Sequence, residues 1–240
     1  TQFQPSFEAL SAFLTSELDK TQVNVTGVST QPNGVAYYNH RLAQSTTTNL
    51  TADEIHQIGL NEVDRLTKEM IAIKDKVGFK GSLKEFFTFI KTDAQFFYPD
   101  TDEGRQGYLK DSEAYLAFIE KKLPEYFGIL PKAALTVKRV EAFREQPGAA
   151  QHYYPGTPDG KRPGIYYAHL SDMKAMPKNE MEAIAYHEGN PGHHMQISIA
   201  QELTTVPTFR TQAGFTAYVE GWALYSELLA KEMGAYQNPY

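Results

Sequence analysis

A proline and a glycine stand where a histidine-rich helix ought to continue. The segment His187-Glu188-Gly189-Asn190-Pro191-Gly192-His193-His194 follows a helical stretch carrying Met181, Ile184 and Ala185. Pro191 removes an amide donor and clashes with the carbonyl one turn back, so a regular helix cannot pass through it. The fold must therefore change direction here while holding three of the chain's seven histidines close together. Imidazoles and carboxylates are the ligands zinc takes where thiolates are lacking, and this chain has no cysteine. That absence also excludes disulfides, zinc fingers, iron–sulfur clusters and cysteine nucleophiles, and leaves the compartment open.

The spacing decides how these histidines could share an ion. The common zinc-peptidase pattern is His-Glu-x-x-His, in which two imidazoles four residues apart share one helix face and the glutamate acts as base. Here the fourth position after His187 is Pro191 and the next imidazole is His193. On a straight helix His193 would be turned through about 600° from His187, onto another face. A bulge that loops out two residues brings it back to where the second ligand stands. His194 has the correct face of a straight helix but lies about 10.5 Å further along the axis. The reading favours His193 and keeps His194 as an alternative ligand or a residue that supports one. A histidine-rich helix break with no metal role is the competing interpretation.

A second feature lies downstream. Phe215, Tyr218, Val219, Trp222, Ala223, Leu224, Tyr225, Leu228 and Leu229 predict one helix over about 214–233, apolar nearly all round in its first half and so buried. Glu220 sits inside that stretch, and a buried carboxylate needs a metal, a partner or a proton. It is a candidate third ligand, with an ion pair to Arg210 as the alternative. Glu227, further along the same face, reads as a supporting or solvated group.

The remainder reads as a helical body. Phe7, Leu10, Phe13, Leu14 and Leu18 recur at helical spacing over about 6–19. Residues Asn24 to Asn33 read as a loop. Thr51–Glu54 has the form of a capping box and opens a helix whose stripe is Ile55, Ile58, Val63, Leu66, Met70 and Ile73. Ser82–Glu85 repeats the signal ahead of Phe86, Phe89 and Ile90, and a further helix covers about 104–122. These stripes are expected to be core faces. Leu135 to Phe143 could be extended, Tyr153-Tyr154 and Gly164–Leu170 look like two strands around a turn, and Asn179 with Glu182 makes a third capping box.

Composition narrows the functional classes. The 240 residues are 41% hydrophobic with a formal charge of −6, which is ordinary for a globular protein. That charge argues against nucleic acid as a partner. No apolar run approaches a membrane span. The chain opens on Thr1 without a charged-then-apolar leader, which reads as a processed protein or a fragment. Asn24-Val25-Thr26 and Asn49-Leu50-Thr51 are glycosylation triplets too common to indicate secretion. Oligomeric state is not legible.

His187 to Gln196, together with Glu220-Gly221-Trp222-Ala223-Leu224-Tyr225, resembles the bacterial family known as domain of unknown function 885. The resemblance extends weakly to Thr46–Thr51 and Arg162–Tyr167. It implies a zinc metallopeptidase distantly similar to gluzincins such as angiotensin-converting enzyme and the thermostable carboxypeptidases. The implied ligands of one zinc ion are His187, His193 and Glu220, with Glu188 as catalytic base and His194 as the alternative ligand. The implied fold is mainly α with a small antiparallel sheet (α+β). Residues 1–130 form a helical body, and residues 131–240 form a zincin-like core continuous with it. Family members are longer, so a piece of a longer helical protein is implied, in a periplasmic or lipoprotein-anchored setting.

The expected function is zinc-dependent peptide hydrolysis, with a non-catalytic metal- or peptide-binding relative as the alternative. Tyr166, Tyr167 and His169 are candidate substrate contacts, on a strand expected to be the edge that pairs with a peptide. The peptide cut, and a preference for zinc over manganese or cobalt, are not legible.

Overall fold

The computed structural model describes residues 2–21 and 27–240. Asn24-Val25-Thr26, within the expected loop, lies outside the described residues. The chain is mainly helical with a small sheet. Its helices are α1 (Phe3–Glu17), α2 (Gly34–Thr46), α3 (Ala52–Lys76), α4 (Leu83–Thr92), α5 (Asp102–Glu120), α6 (Leu123–Tyr126), α7 (Lys178–Glu188), α8 (His193–Glu202) and α9 (Thr216–Glu232). The strands are β1 (Leu135–Arg139), β2 (His152–Tyr154) and β3 (Gly164–Ala168). Among the described residues no helix is long and apolar enough to cross a membrane.

Local chemistry sets several of these boundaries. Both expected capping boxes form: Thr51 Oγ1 accepts from Glu54 N while Glu54 Oε2 accepts from Thr51 N, and Ser82 and Glu85 do the same at α4. Each satisfies two otherwise free amide donors. The third box is absent. Helix α7 begins two residues earlier than that cap implies, at Lys178 after Pro177, and has no side-chain cap. Proline sets the helical entry there, which leaves Asn179 inside the first turn.

The sheet has the order β1-β3-β2. Strand β3 runs parallel to β1, pairing Leu135 with Gly164 through Arg139 with Ala168, and antiparallel to β2, pairing His152 with Tyr167. The sheet is thus mixed rather than antiparallel. Its central strand is β3, so the segment expected to form the edge has both sides occupied, and the edges are β1 and β2. The inner face, with Val137, Tyr166 and Ala185 of α7, packs against Leu116 of α5. A second cluster joins Ile119 and Leu123 with Tyr186, Met195, Leu229, Ala230 and Met233, tying α5–α6 to α7, α8 and α9.

The amphipathic stripes of α1 and α3 do not form core. Neither helix contains a buried residue. Phe7, Leu10, Phe13, Leu14 and Leu18, and along α3 Ile58, Val63, Leu66, Met70 and Ile73, are exposed. Nor is α9 buried all round: Ala223, Ser226, Leu229 and Ala230 pack inward while Phe215, Tyr218, Leu224, Tyr225 and Leu228 face outward.

Candidate metal centre

The site is built on the interruption between α7 and α8. Helix α7 ends at Glu188 and α8 starts at His193. Across the break Gly192 N donates to Tyr186 O at 3.0 Å, a loop two residues longer than a helical turn. Gly192 is needed for this closure. A Cβ there would stand 2.0 Å from His187 O and 2.3 Å from Tyr186 O. Trp222 of α9 donates its indole N–H to Pro191 O at 2.8 Å and fixes the helix that carries Glu220 against the break.

This arrangement brings His187, His193 and Glu220 together, with one potential ligand atom from each lying within 4.8 Å of the others. Glu220 Oε2 is 3.6 Å from both His187 Nε2 and His193 Nε2. Four ligands arranged tetrahedrally at about 2.1 Å from zinc are separated by about 3.4 Å, so Glu220 stands from each imidazole nitrogen near the distance of a coordination shell. The imidazole planes cross at 87° with centroids 4.7 Å apart, which lets two nitrogens converge without the rings clashing. Glu220 is not buried as its apolar neighbours suggested. Its side chain is 54% exposed, and among the described residues no ion pair joins it to Arg210. The cluster therefore reaches the surface at Glu220.

The surrounding groups prepare the ligands. His187 Nδ1 donates to Glu227 Oε1 at 2.8 Å, which turns Nε2 toward Glu220. That bond, from a glutamate on the same face of α9 as Glu220, is the main cause of a raised His187 pKa. His193 moves the other way: burial and then the charge of His187 lower its pKa and keep it neutral. Glu188 is 8% exposed, and burial pushes its pKa up to about 7. The His187 charge and the Tyr153 amide oppose that rise, while Glu220 adds to it.

His194 faces away from the cluster. Its Nδ1 lies 3.0 Å from the Tyr153 hydroxyl and its Nε2 3.0 Å from Ala133 O, so both ring nitrogens are engaged. Burial lowers its pKa to about 4. The neutral ring donates from Nε2 and accepts the Tyr153 proton at Nδ1, which ties β2 to α8. Residue types gave no hint of this brace; period-two alternation along β2, which turns Tyr153 inward, was the available signal. Tyr166, Tyr167 and His169 are all buried. Tyr166 is fully enclosed, its hydroxyl 3.4 Å from that of Tyr108. Tyr167 and His169 project from the opposite face of β3, where Tyr167 stacks on His152 and His169 Nδ1 accepts from Gln146 N.

Comparison with known proteins places this geometry in a family. The model for bacterial proteins of unknown function DUF885 matches residues 1–240. The chain belongs to the DUF885 family. A solved relative, "the putative lipoprotein from Colwellia psychrerythraea", is 34% identical and superposes with a TM-score of 0.90 over 98% of this DUF885 chain. The chain spans 40% of that relative's length. No curated protein matches it.

Proposed function

We propose that this DUF885 chain is a zinc-dependent peptide hydrolase with a gluzincin-like core, acting in a periplasmic or lipoprotein setting. The observation that carries the reading is the convergence of two imidazoles and one carboxylate, with potential ligand atoms within 4.8 Å of one another, beside a buried glutamate. His187, His193 and Glu220 would hold the ion. Zinc with three protein ligands keeps a position for water, acidifies that water and polarises a carbonyl.

The chain's own residues have separable roles. Glu227 orients His187 and leaves its Nε2 free to bind. Glu188, with a pKa near 7, can hold a proton and release it at neutral pH, as a general base that becomes a general acid must. Since β3 is central, the strand available to an extended peptide is β2, whose Tyr153 N–H already approaches the Glu188 carboxylate. The engaged ring of His194 supports that strand and is not offered to the ion.

The test is a Glu188→Gln variant loaded with one zinc equivalent. The reading predicts unchanged zinc content and cleavage of a mixed peptide library lowered at least about 100-fold, the scale of a general-base contribution. Cleavage that survives the substitution contradicts it.

A further inference from the structure

We infer that Arg162 is a specificity-determining residue of this site, its guanidinium taking a carboxylate carried by the peptide substrate. This rests on the peptide-hydrolase reading and adds the substrate class: a peptide bearing an acidic side chain or a free C-terminal carboxylate near the bond that is cut.

Arg162 sits in the hairpin that follows β2, the strand proposed to receive the peptide, and its guanidinium lies over Tyr154 of that strand. A Cβ on Gly164 would come within 2.5 Å of the Tyr153 hydroxyl and 2.6 Å of His194 Nδ1, the residue adjoining His193. The loop is shaped around Arg162 by its own backbone: Thr157 N donates to Arg162 O at 3.1 Å, and Arg162 N donates to Thr157 Oγ1 at 3.0 Å. Its side chain is exposed, with Cζ 5.4 Å from the centre of the Tyr154 ring. Stacking on an aromatic face orders a guanidinium and leaves its N–H groups free. Its charge also reaches the Tyr153 phenol, opposing the upward push of burial.

Several cations around Arg162 are already paired. Lys161 meets Asp159 at 3.2 Å, Arg139 meets Glu145 at 2.7 Å, and Arg144 is held by Glu141. Among the described residues no carboxylate pairs with Arg162. Around the cluster, Glu188, Glu220 and Glu227 surround two imidazoles, and no arginine or lysine pairs with them among the described residues. A guanidinium ordered in advance beside the peptide's path binds a substrate carboxylate with two parallel hydrogen bonds.

The experiment measures binding of fluorescent alanine hexapeptides to the zinc-loaded Glu188→Gln protein, with and without Arg162→Gln. Each peptide carries Glu or Gln at one successive position, with a free or amidated C terminus. The expected result is at least one acid-bearing peptide bound about 10-fold tighter than its uncharged partner. Arg162→Gln abolishes that preference and leaves neutral peptides bound as before. A preference that follows the side chain identifies an acidic peptide; one that follows the terminus identifies a substrate cut near its C-terminal end. No charge preference, a preference kept in Arg162→Gln, or equal weakening of neutral peptides overturns the role of Arg162. Turnover by the wild-type zinc protein is read in parallel. Cleavage of neutral peptides without charge preference overturns Arg162 alone; preference without cleavage of any peptide overturns the hydrolase reading and leaves Arg162 as a carboxylate-binding residue.

Discussion

Helices α1 and α3 carry apolar stripes at helical spacing and contain no buried residue, while α7 and α8, with weaker periodicity, bury Met181, Ala185, Tyr186, His194 and Met195. The contrast teaches that a stripe records a demand for a partner and not its presence. Nothing among the described residues covers Phe7, Leu10 and Leu14. Around the break the sheet, α5 and α9 close over α7 and α8 from several directions. Rigidity, and with it the geometry of the His187, His193 and Glu220 cluster, should therefore be concentrated in the second region.

The largest expected effect falls on the break. Gly192→Ala forces a methyl group against two backbone carbonyls, so it should cost more than about 3 kcal/mol and separate His187 from His193. Denaturant titration alongside zinc binding measures both. A variant as stable as wild type would show that the break is not rigid.

Next comes the pH dependence of the metal-free protein. His194 is held neutral with a pKa near 4, against 6.5 in the unfolded chain. Stability from this neutral ring is whole above pH 6.5 and is lost as pH falls toward 4, by up to about 3 kcal/mol. Denaturation at pH 7 and pH 4.5 should differ accordingly, and His194→Gln should flatten the difference. An equal slope in the variant would place the acid sensitivity elsewhere.

A smaller effect is expected at Glu227. Its replacement by alanine removes the orienting bond to His187 and should weaken zinc about 10-fold or more, with little change in folding. An unchanged zinc affinity would mean that His187 needs no orientation. The smallest effect belongs to α1. Leu10→Ala should change stability by less than about 0.5 kcal/mol, and α1 amides should exchange with solvent long before those of α7. Protection of α1 equal to that of α7 would erase the contrast between the regions.

What the sequence revealed follows the range of the interaction. The capping boxes at Thr51 and Ser82 are local, involving neighbours three residues apart, and both formed. At Asn179 an equally local signal lost to Pro177, which fixes where α7 begins. Sheet order was not legible, since the parallel pairing of β1 with β3 joins segments separated by β2 and two loops. His187, His193 and Glu220 could be named from residue type and spacing. The burial of Glu220 was misjudged because apolar residues around it, such as Phe215 and Leu224, face outward. The choice between His193 and His194 turns on one residue, about 100° of rotation at the first turn of α8, and only the packing of Tyr153 and Ala133 against His194 orients that turn.

The central claim is that this kinked pair of helices and α9 hold one divalent ion. Anomalous X-ray scattering at the zinc edge, from crystals grown with one equivalent of zinc, addresses it directly. A single peak about 2.1 Å from His187 Nε2, His193 Nε2 and a Glu220 carboxylate oxygen is the predicted result. A peak bound elsewhere, or none with the three side chains in place, would contradict it.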